Sequence, residues 1–549
     1  MPGALLQLSS FGSASTYLHA DPQVTFWKQV WRRSTPFALE STEMPFSGGA
    51  PDFGRKVTAA VAKGADLAHR AWLEITLPDL ADYYTAPVTA TAGQPLISRL
   101  YVEGDEVRMR VRPPANPGSW VWAKVYVITR NGGGGYSKAR LLQANQTTEP
   151  AFTFAMAAGG GDTDHVFPRA QLPQAVRDAI FTPGAALVEL VVTCGGANAQ
   201  AADSQDSQPR GVLNLRWTNA VGLAAMESAE WEIGGSRIDR IPNSEFMDAW
   251  SELTEPEERR AGFNDMVGKY DDYDIWDSAK SRRGARTYYV PLRFSFCATA
   301  SSAVPVLALQ FHEMRVNVAF REALDLVRSN QPVGQLLSAS GAPIAMTDCR
   351  LYMDMVYLDA EERRRMISMD HEQLVTQVQF VGDVAVAPGD RDIIKKIPLD
   401  GLEHPVKELV FVYQDFERYQ RDAVSGNDWH NFQLAADPEE DAFQSVRITL
   451  NGAERAAARH GTYYRQLQPY AHHTRVPRKH VLCYNFGLDP EALTPSGTCN
   501  FSRLQQASLN VQMSPRIGPN GGRVKVYAIG YNVIGYKQGL AGLRFTNGG

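Results

Sequence analysis

The chain reads as all-β: two copies of one eight-stranded sandwich in tandem, with a β-rich segment inserted into the first copy. Three observations predict this. Short apolar runs of period two, separated by turn residues, recur from Thr25 to the end, and that alternation is the signature of half-buried strands. Glycine and proline number 45 and 32 in 549 residues, which suits a turn-rich β-protein. Finally, Ser228-Ala-Glu-Trp-Glu-Ile-Gly-Gly-Ser-Arg237 echoes Ser445-Val-Arg-Ile-Thr-Leu-Asn-Gly-Ala-Glu-Arg455. Each is a strand running into a tight-turn pair, Gly234-Gly235 or Asn451-Gly452, the strongest short hairpin signal. Each is followed later by an aromatic-rich strand, Tyr288–Phe296 or Val481–Phe486. A duplicated eight-stranded sandwich fits this pattern.

Residues 1–22 read as an arm, small and polar, without a sustained period. Residues 23–365 form the first sandwich, opening on Phe37, Leu39, Val57, Ala59, Val61, Leu73, Ile75 and Leu77 in alternating runs. Residues 84–212 differ in character, with glycine clusters at 132–135 and 159–161 and a polar stretch at 197–208. Between these lie strand candidates Val107–Val111, Trp120–Thr129, Phe152–Met156 and Ala186–Thr193, and the frame resumes at Leu213. Ser244 precedes Phe246, Met247, Trp250 and Leu253 at helical spacing, and an acidic-then-basic piece follows at Glu255–Arg260. Strands are expected again at Thr287–Phe296, Val304–Phe311, Met314–Phe320 and Arg350–Leu358. The charged run Asp359–Arg365 reads as a linker to a second sandwich, 366–549, with the same strand-and-turn rhythm.

Charge and cysteine content bound the function. A net charge of -5 gives no global field toward nucleic acid. Cys194, Cys297, Cys349, Cys483 and Cys499 are scattered and never paired as CxxC, which suits free thiols in a reducing compartment, the cytoplasm. Met1 to Ser15 has no basic region before an apolar core, and no run reaches the roughly 18 apolar residues of a membrane span.

Chemistry-bearing motifs are sparse. His312-Glu313 and His371-Glu372 open like a zinc-protease helix, yet neither has a histidine at the required position. Gly132–Gly135 leads into Tyr136-Ser137-Lys138, which is no phosphate loop. Asp271, Asp272, Asp274 and Asp277 lack the glycine and terminal glutamate of a calcium loop. His472, His473 and His480 read as surface residues, and Trp27, Trp31, Trp120, Trp122 and Trp231 as strand residues that fill cores. No catalytic residue, metal ligand or cofactor is expected.

The frame residues carry a resemblance. Pro22-Gln-Val-Thr-Phe-Trp-Lys-Gln-Val-Trp-Arg-Arg-Ser-Thr-Pro-Phe-Ala-Leu-Glu40 resembles the opening of the major capsid proteins of nucleocytoplasmic large DNA viruses, with phycodnaviruses the nearest kin. Similar blocks stand in family order at 233–239, 289–292, 308–313, 357–363, 450–455, 461–464, 495–503 and 526–543. The resemblance implies a double jelly-roll and a homotrimeric capsomer of pseudo-hexagonal outline in an icosahedral shell over an internal membrane. It also implies minor capsid and penton proteins as partners, no direct contact with nucleic acid, and an arm facing the interior. Assembly in the host cytoplasm is expected. Trimer contacts of this kind bury well over ~2,000 Å². The departure is 84–212, placed between the fourth and fifth strands of the first jelly roll, where the family's loop points outward. That insertion is expected to crown the capsomer and meet the host surface. Of the sequons Asn145 and Asn500, Asn145 is the expected glycan site, because Asn500 lies in a frame motif. The competing readings are a minor capsid or scaffold-like paralogue, a β-sandwich carbohydrate-binding protein, and a glycan-cleaving enzyme, the last disfavoured by the missing paired-carboxylate motif.

Overall fold

A computed structural model describes residues 3–10, 12–22, 27, 33–84, 94–103, 105–113, 122–130, 136–140, 153–155, 162–172, 174–181, 188–195, 205–207, 210–211, 214–270, 284–329, 333–338, 341–421, 426–435 and 437–545. Sixteen strands make the frame. The first eight are β1 Phe37–Met44, β2 Lys56–Ala60, β3 Leu67–Leu77, β4 Met226–Ile233, β5 Ser236–Ile241, β6 Arg286–Leu292, β7 Met314–Phe320 and β8 Asp348–Leu358. The second eight are β9 His371–Val386, β10 Ile394–Pro398, β11 Pro405–Asp415, β12 Phe443–Leu450, β13 Ala453–Arg459, β14 Val481–Asn485, β15 Ala507–Met513 and β16 Gly522–Lys537.

Each set folds into two facing antiparallel sheets with one connectivity. In the first, β1-β8-β3-β6 faces β5-β4-β7-β2; in the second, β9-β16-β11-β14 faces β10-β15-β12-β13. The strand positions in the order 1-8-3-6 and 2-7-4-5 are the same in both halves, so the chain is a duplicated jelly roll. Alternation sets the faces. Leu73, Ile75 and Leu77 of β3 point inward with Leu351 and Met353 of β8, while Leu409, Phe411 and Tyr413 of β11 do so with Val524 and Val526 of β16. Fully burying each such side chain contributes roughly 1.5–3 kcal/mol.

The two hairpins that carry the sequence echo join positions 4 and 5 of their rolls. Gly234 and Gly235 turn with φ 60 and 82, Asn451 and Gly452 with φ 48 and 82. Two successive positive φ values twist the chain to match the right-handed strands on either side. Asn451 also accepts hydrogen bonds from the Gln505 and Gln506 amides through Oδ1, at 2.9 and 3.1 Å, tying this turn to the loop before β15. Nothing lies within 4 Å of a Cβ placed on Gly235 or Gly452, so the demand there is conformational and not steric. Gly235→Val and Gly452→Val should each lower the unfolding free energy by about 1 kcal/mol or more, whereas Gly→Asn at either site should cost less. Denaturant midpoints of the four variants check this, and equal midpoints for Val and Asn would refute it.

Within 84–212, the described strands form two sheets. Thr163–Pro168, Glu106–Arg112 and Leu96–Glu103 make one, and Trp122–Arg130 and Val188–Gly195 centre the other. Val102, Val107, Met109, Val125, Phe167 and Val192 belong to a core cluster that contains no frame residue.

Several expectations need correction. Before the interval 84–212 the described frame strands are Phe37–Met44, the two-residue Phe46–Ser47 paired with Lys56–Ala60, Lys56–Ala60 itself and Leu67–Leu77. The arm contains two short helices, Gly3–Ser9 and Ser13–His19. The helix Ser244–Thr254 is capped by the residue before it, Asn243, which is extended (φ -164) and whose Oδ1 accepts from the Phe246 amide at 3.0 Å. The piece after it is a helix, Glu257–Val267. Val304–Phe311 is not a strand: Pro305 lets Val304 make one bridge to Ala68, and a 3-10 turn follows at Val306–Ala308. The linker run is helical at Ala360–Ser368, started by Asp359 accepting from the Glu361 amide. Trp27 fills no core; it is 92% exposed. Trp31, Trp120, Asn145, Gly132–Gly135 and Asp271–Asp277 lie outside the described residues, as does the Trp122 side chain.

Candidate assembly site: the seam between the rolls

The helix Ser244–Thr254 leaves the first roll after β5 and lies on the outer face of the β9-β16-β11-β14 sheet. The core of the first roll runs without a break onto that face, taking in Val410, Val412, Val481, Cys483, Tyr527 and Ile529. Phe246 meets the Tyr527 ring with centroids 5.2 Å apart, and the Tyr527 hydroxyl donates to Asn243 Oδ1 at 2.8 Å. One asparagine thus caps the helix and fixes it to the neighbouring sheet. Strand β5 follows the same course. The Gln377 side chain of β9 donates to the Ile238 carbonyl, and the Thr376 amide donates to Ser295 Oγ at 2.9 Å. Asp239 is buried here, and burial pushes its carboxyl up to about 7.

The seam is strongly charged. Glu245 lies 2.9 Å from Lys525, 3.5 Å from Arg523 and 3.7 Å from Arg321. Asp248 lies 2.7 Å from Lys269 and 2.6 Å from Lys479; Glu252 pairs with Lys269 and, at 2.8 Å, with Arg475. Burial opposes ionisation of all three carboxylates. The lysines and arginines outweigh it, holding Glu245 and Asp248 far below the usual carboxylate range and Glu252 at about 2. Lys479, Arg475, Lys525 and Arg523 come from the second roll, so these pairs are a geometric lock between the rolls. Sequence reading missed every one of them. The available signal was the spacing of Glu245, Asp248 and Glu252, three and four apart on one helix that also carries Phe246 and Leu253.

The histidines expected at the surface have separate partners. His472 Nδ1 donates to the Leu488 carbonyl at 2.9 Å, and His480 lies 3.1 Å from Asp441. His473 is buried: Nε2 donates to Glu408 at 2.7 Å and Nδ1 to Glu491 at 3.0 Å. Burial alone would lower its basicity, but the Glu408 carboxylate and its hydrogen bonds prevail and push it up to about 12. Glu408, His473 and Cys483 have ligand atoms within 4.8 Å of one another. The imidazolium spends both nitrogens as donors, and burial raises the Cys483 thiol to about 11. Of the zinc-like pairs, His312 sits 3.0 Å from the Ala541 carbonyl while Glu313 pairs with Arg315; His371 donates to the Met366 carbonyl while Glu372 pairs with Arg544. Asn500 Oδ1 accepts from the Ser502 amide at 3.1 Å, which ties this sequon into a frame turn.

What the chain is built for follows from its relatives. The family model "Large eukaryotic DNA virus major capsid protein" matches residues 362–542, and "Major capsid protein N-terminus" matches 25–111 and 186–359. The chain belongs to the major capsid proteins of large eukaryotic DNA viruses. Among similar proteins of this family, the major capsid protein of Pyramimonas orientalis virus is 28% identical over the full length of both chains. That of Phaeocystis pouchetii virus is 26% identical, again over both full lengths. A chain of the PBCV-1 virus capsid has the same fold, with a TM-score of 0.60 at 20% identity, covering 95% of this chain and 100% of that one. As a major capsid protein it is a structural component of the virion and associates with copies of itself. The seam packs the two rolls of each capsid subunit against each other through a continuous core and buried ion pairs. Residues 112–185 lie between the two matched spans of the N-terminal model and fall inside the interval 84–212.

Proposed function

We propose that this capsid protein forms homotrimeric capsomers of pseudo-hexagonal outline, the shell units of an icosahedral virion. The observation that carries the reading is the duplication: two rolls of one connectivity, locked side by side, give each protomer two similar sides, so three protomers present six. Heterologous contacts of this kind close into a ring when the rotation between repeats divides the circle. Lattice contacts between trimers can be weaker, since each capsomer has many neighbours. In this reading the arm 1–22 faces the interior, toward an internal membrane, and minor capsid and penton proteins complete the shell. The segment 84–212 crowns the outside, meets the host and carries any glycan at Asn145. The role is structural, without catalysis, cofactor or metal. Support for an independent segment comes from its separate core and from the slow growth of loop-closure entropy with length.

Mass measurement tests this on two proteins, the full chain and a chain with residues 86–210 replaced by a short Gly/Ser linker. Both should be trimers, the second of reduced mass. Monomers at micromolar concentration for the full chain would overturn the capsomer. A trimeric full chain with an insoluble or monomeric deletion would instead place 84–212 in the trimer contact.

A further inference from the structure

The seam leaves one of its buried charges without a partner, and that charge borders a cavity. The cavity measures about 430 Å³, within the roughly 300–1,000 Å³ of small-molecule sites. Both rolls build it. Trp72 of β3 and Leu292 of β6 come from the first roll, and Phe246 and Trp250 from the helix Ser244–Thr254. Val378 of β9 and Lys407 of β11 come from the second roll.

Lys407 is the unpaired group. It is only 3% exposed, yet its ammonium makes no hydrogen bond or ion pair among the described residues. Its Nζ lies 5.1 Å from the centre of the Tyr531 ring, a weak substitute for an anion. Three acids stand near it, and each is engaged elsewhere. Glu408 and Glu491 hold His473, while Asp489 accepts from the Glu491 and Ala492 amides. Burial therefore prevails over all three and depresses Lys407 to about 8. A buried ammonium is costly unless something pairs it, and the described residues supply no such group.

The other charged groups of the lining leave the balance positive. Glu255 is taken by Arg293. Asp239 Oδ1 accepts from the Arg240 and Val378 amides at 2.8 and 3.4 Å. Burial pushes the Asp239 carboxyl up to about 7, so its negative charge is partial at neutral pH. Arg70 also lines the cavity, exposed and without an ion pair among the described residues. The walls are aromatic. Trp72 stacks on Tyr352 and Trp250 on Phe246, each pair with centroids 6.2 Å apart, which fixes both indoles in place. Flat apolar bodies pack well on such rings.

We propose that this cavity is a binding site for a small aromatic carboxylate, its anionic head paired with Lys407 and its ring against Trp72 and Trp250. Because both rolls contribute, a bound acid spans the seam and stabilises the docked pair by mass action.

The full-length chain with 2-naphthoate tests this, and 2-naphthalenemethanol serves as the neutral analogue. By calorimetry the acid should bind with a Kd below about 1 mM, and the alcohol at least about tenfold more weakly. The acid should also raise the melting temperature and shield Lys407 from reductive methylation, read by peptide mass. Lys407→Met should bind acid and alcohol alike. Val378→Trp, which fills the cavity from a half-buried position, should bind neither. Shielding is read on the parent chain, so it decides the matter even where a variant fails to fold. A parent that does not bind the acid, binds both ligands equally, or binds the acid without shielding Lys407 would overturn the proposal. So would a folded Lys407→Met that still prefers the acid, or a folded Val378→Trp that binds as the parent does.

Discussion

Asp248→Ala should be among the most damaging single changes in this protein, lowering the unfolding free energy by about 3–5 kcal/mol. Asp248 is buried between Lys269 of the first roll and Lys479 of the second, at 2.7 and 2.6 Å. Removing the carboxylate leaves two buried ammonium groups with a single remaining acid nearby, Glu252, which Arg475 already engages. The lost attraction is the smaller part of this effect; the larger part is that two charges stay desolvated without compensation. The ordering of variants separates this cause from simple loss of packing. Lys479→Met removes one cation but leaves Asp248 its Lys269 partner and fills similar volume, so it should cost distinctly less than Asp248→Ala. Urea unfolding of both variants decides the matter, and a Lys479→Met loss equal to or larger than the Asp248→Ala loss would refute the account.

That such a cluster went unseen in the sequence has a physical reason. Asp248 and Lys479 are 231 positions apart, and an isolated acid or base is read as solvated because burial of either alone is prohibitive. Only the docking of two rolls makes the burial tolerable, and docking leaves no periodic trace. The hairpins were legible for the opposite reason. Gly234-Gly235 and Asn451-Gly452 satisfy a local demand for two positive φ values, a demand that few residue types meet. The helix at Ala360–Ser368 lies between these cases. Its charges ruled out a core, correctly, since none of its residues is buried, but Asp359 as cap and the Glu361–Arg365 pair at i,i+4 are a helix signature in their own right. Val304–Phe311 failed because apolar alternation was given more weight than Pro305. For the candidate site, His473 was visible only as one of three nearby histidines. Its partners Glu408 and Glu491 come from elsewhere in the second roll, and sequence spacing carries no sign of them.

Stability should fall as pH rises from about 7 to 8, by at most about 1.4 kcal/mol, and His473→Gln should remove most of that dependence. The folded protein holds the His473 imidazolium between Glu408 and Glu491, pushing its pKa up to about 12, whereas the unfolded chain releases this proton near 6.5. Below about 6.5 both states are protonated and the ion pair contributes in full. Above it, only the folded state keeps the proton, so each further unit of pH favours unfolding until the folded pKa is passed. Other buried groups define where this effect stands alone. Asp239, raised to about 7, also makes stability fall with pH, but below that value. His430, lowered to about 4 by burial, acts in the opposite sense, and only below about 6.5. Burial depresses Lys407 to about 8, so above that pH its release of a proton favours the folded state and offsets His473. Burial raises Cys483 to about 11, which adds to the decline only once an unfolded thiol would ionise, near 8.5. Between about pH 7 and 8 the tail of the Asp239 titration adds to the fall and the onset of the Lys407 titration opposes it, so the two offset each other and the main slope belongs to His473. Glu408→Gln should also flatten it, because the neutral amide no longer holds the proton on Nε2, while Glu491 retains its contact with Nδ1. Both variants should be less stable than the parent at pH 7, His473→Gln the more so, since it strands two carboxylates where Glu408→Gln strands none. Denaturant midpoints at half-unit steps across this range measure the slope directly. A parent whose midpoint is flat or rises between pH 7 and 8 would show that His473 is neutral in the folded subunit.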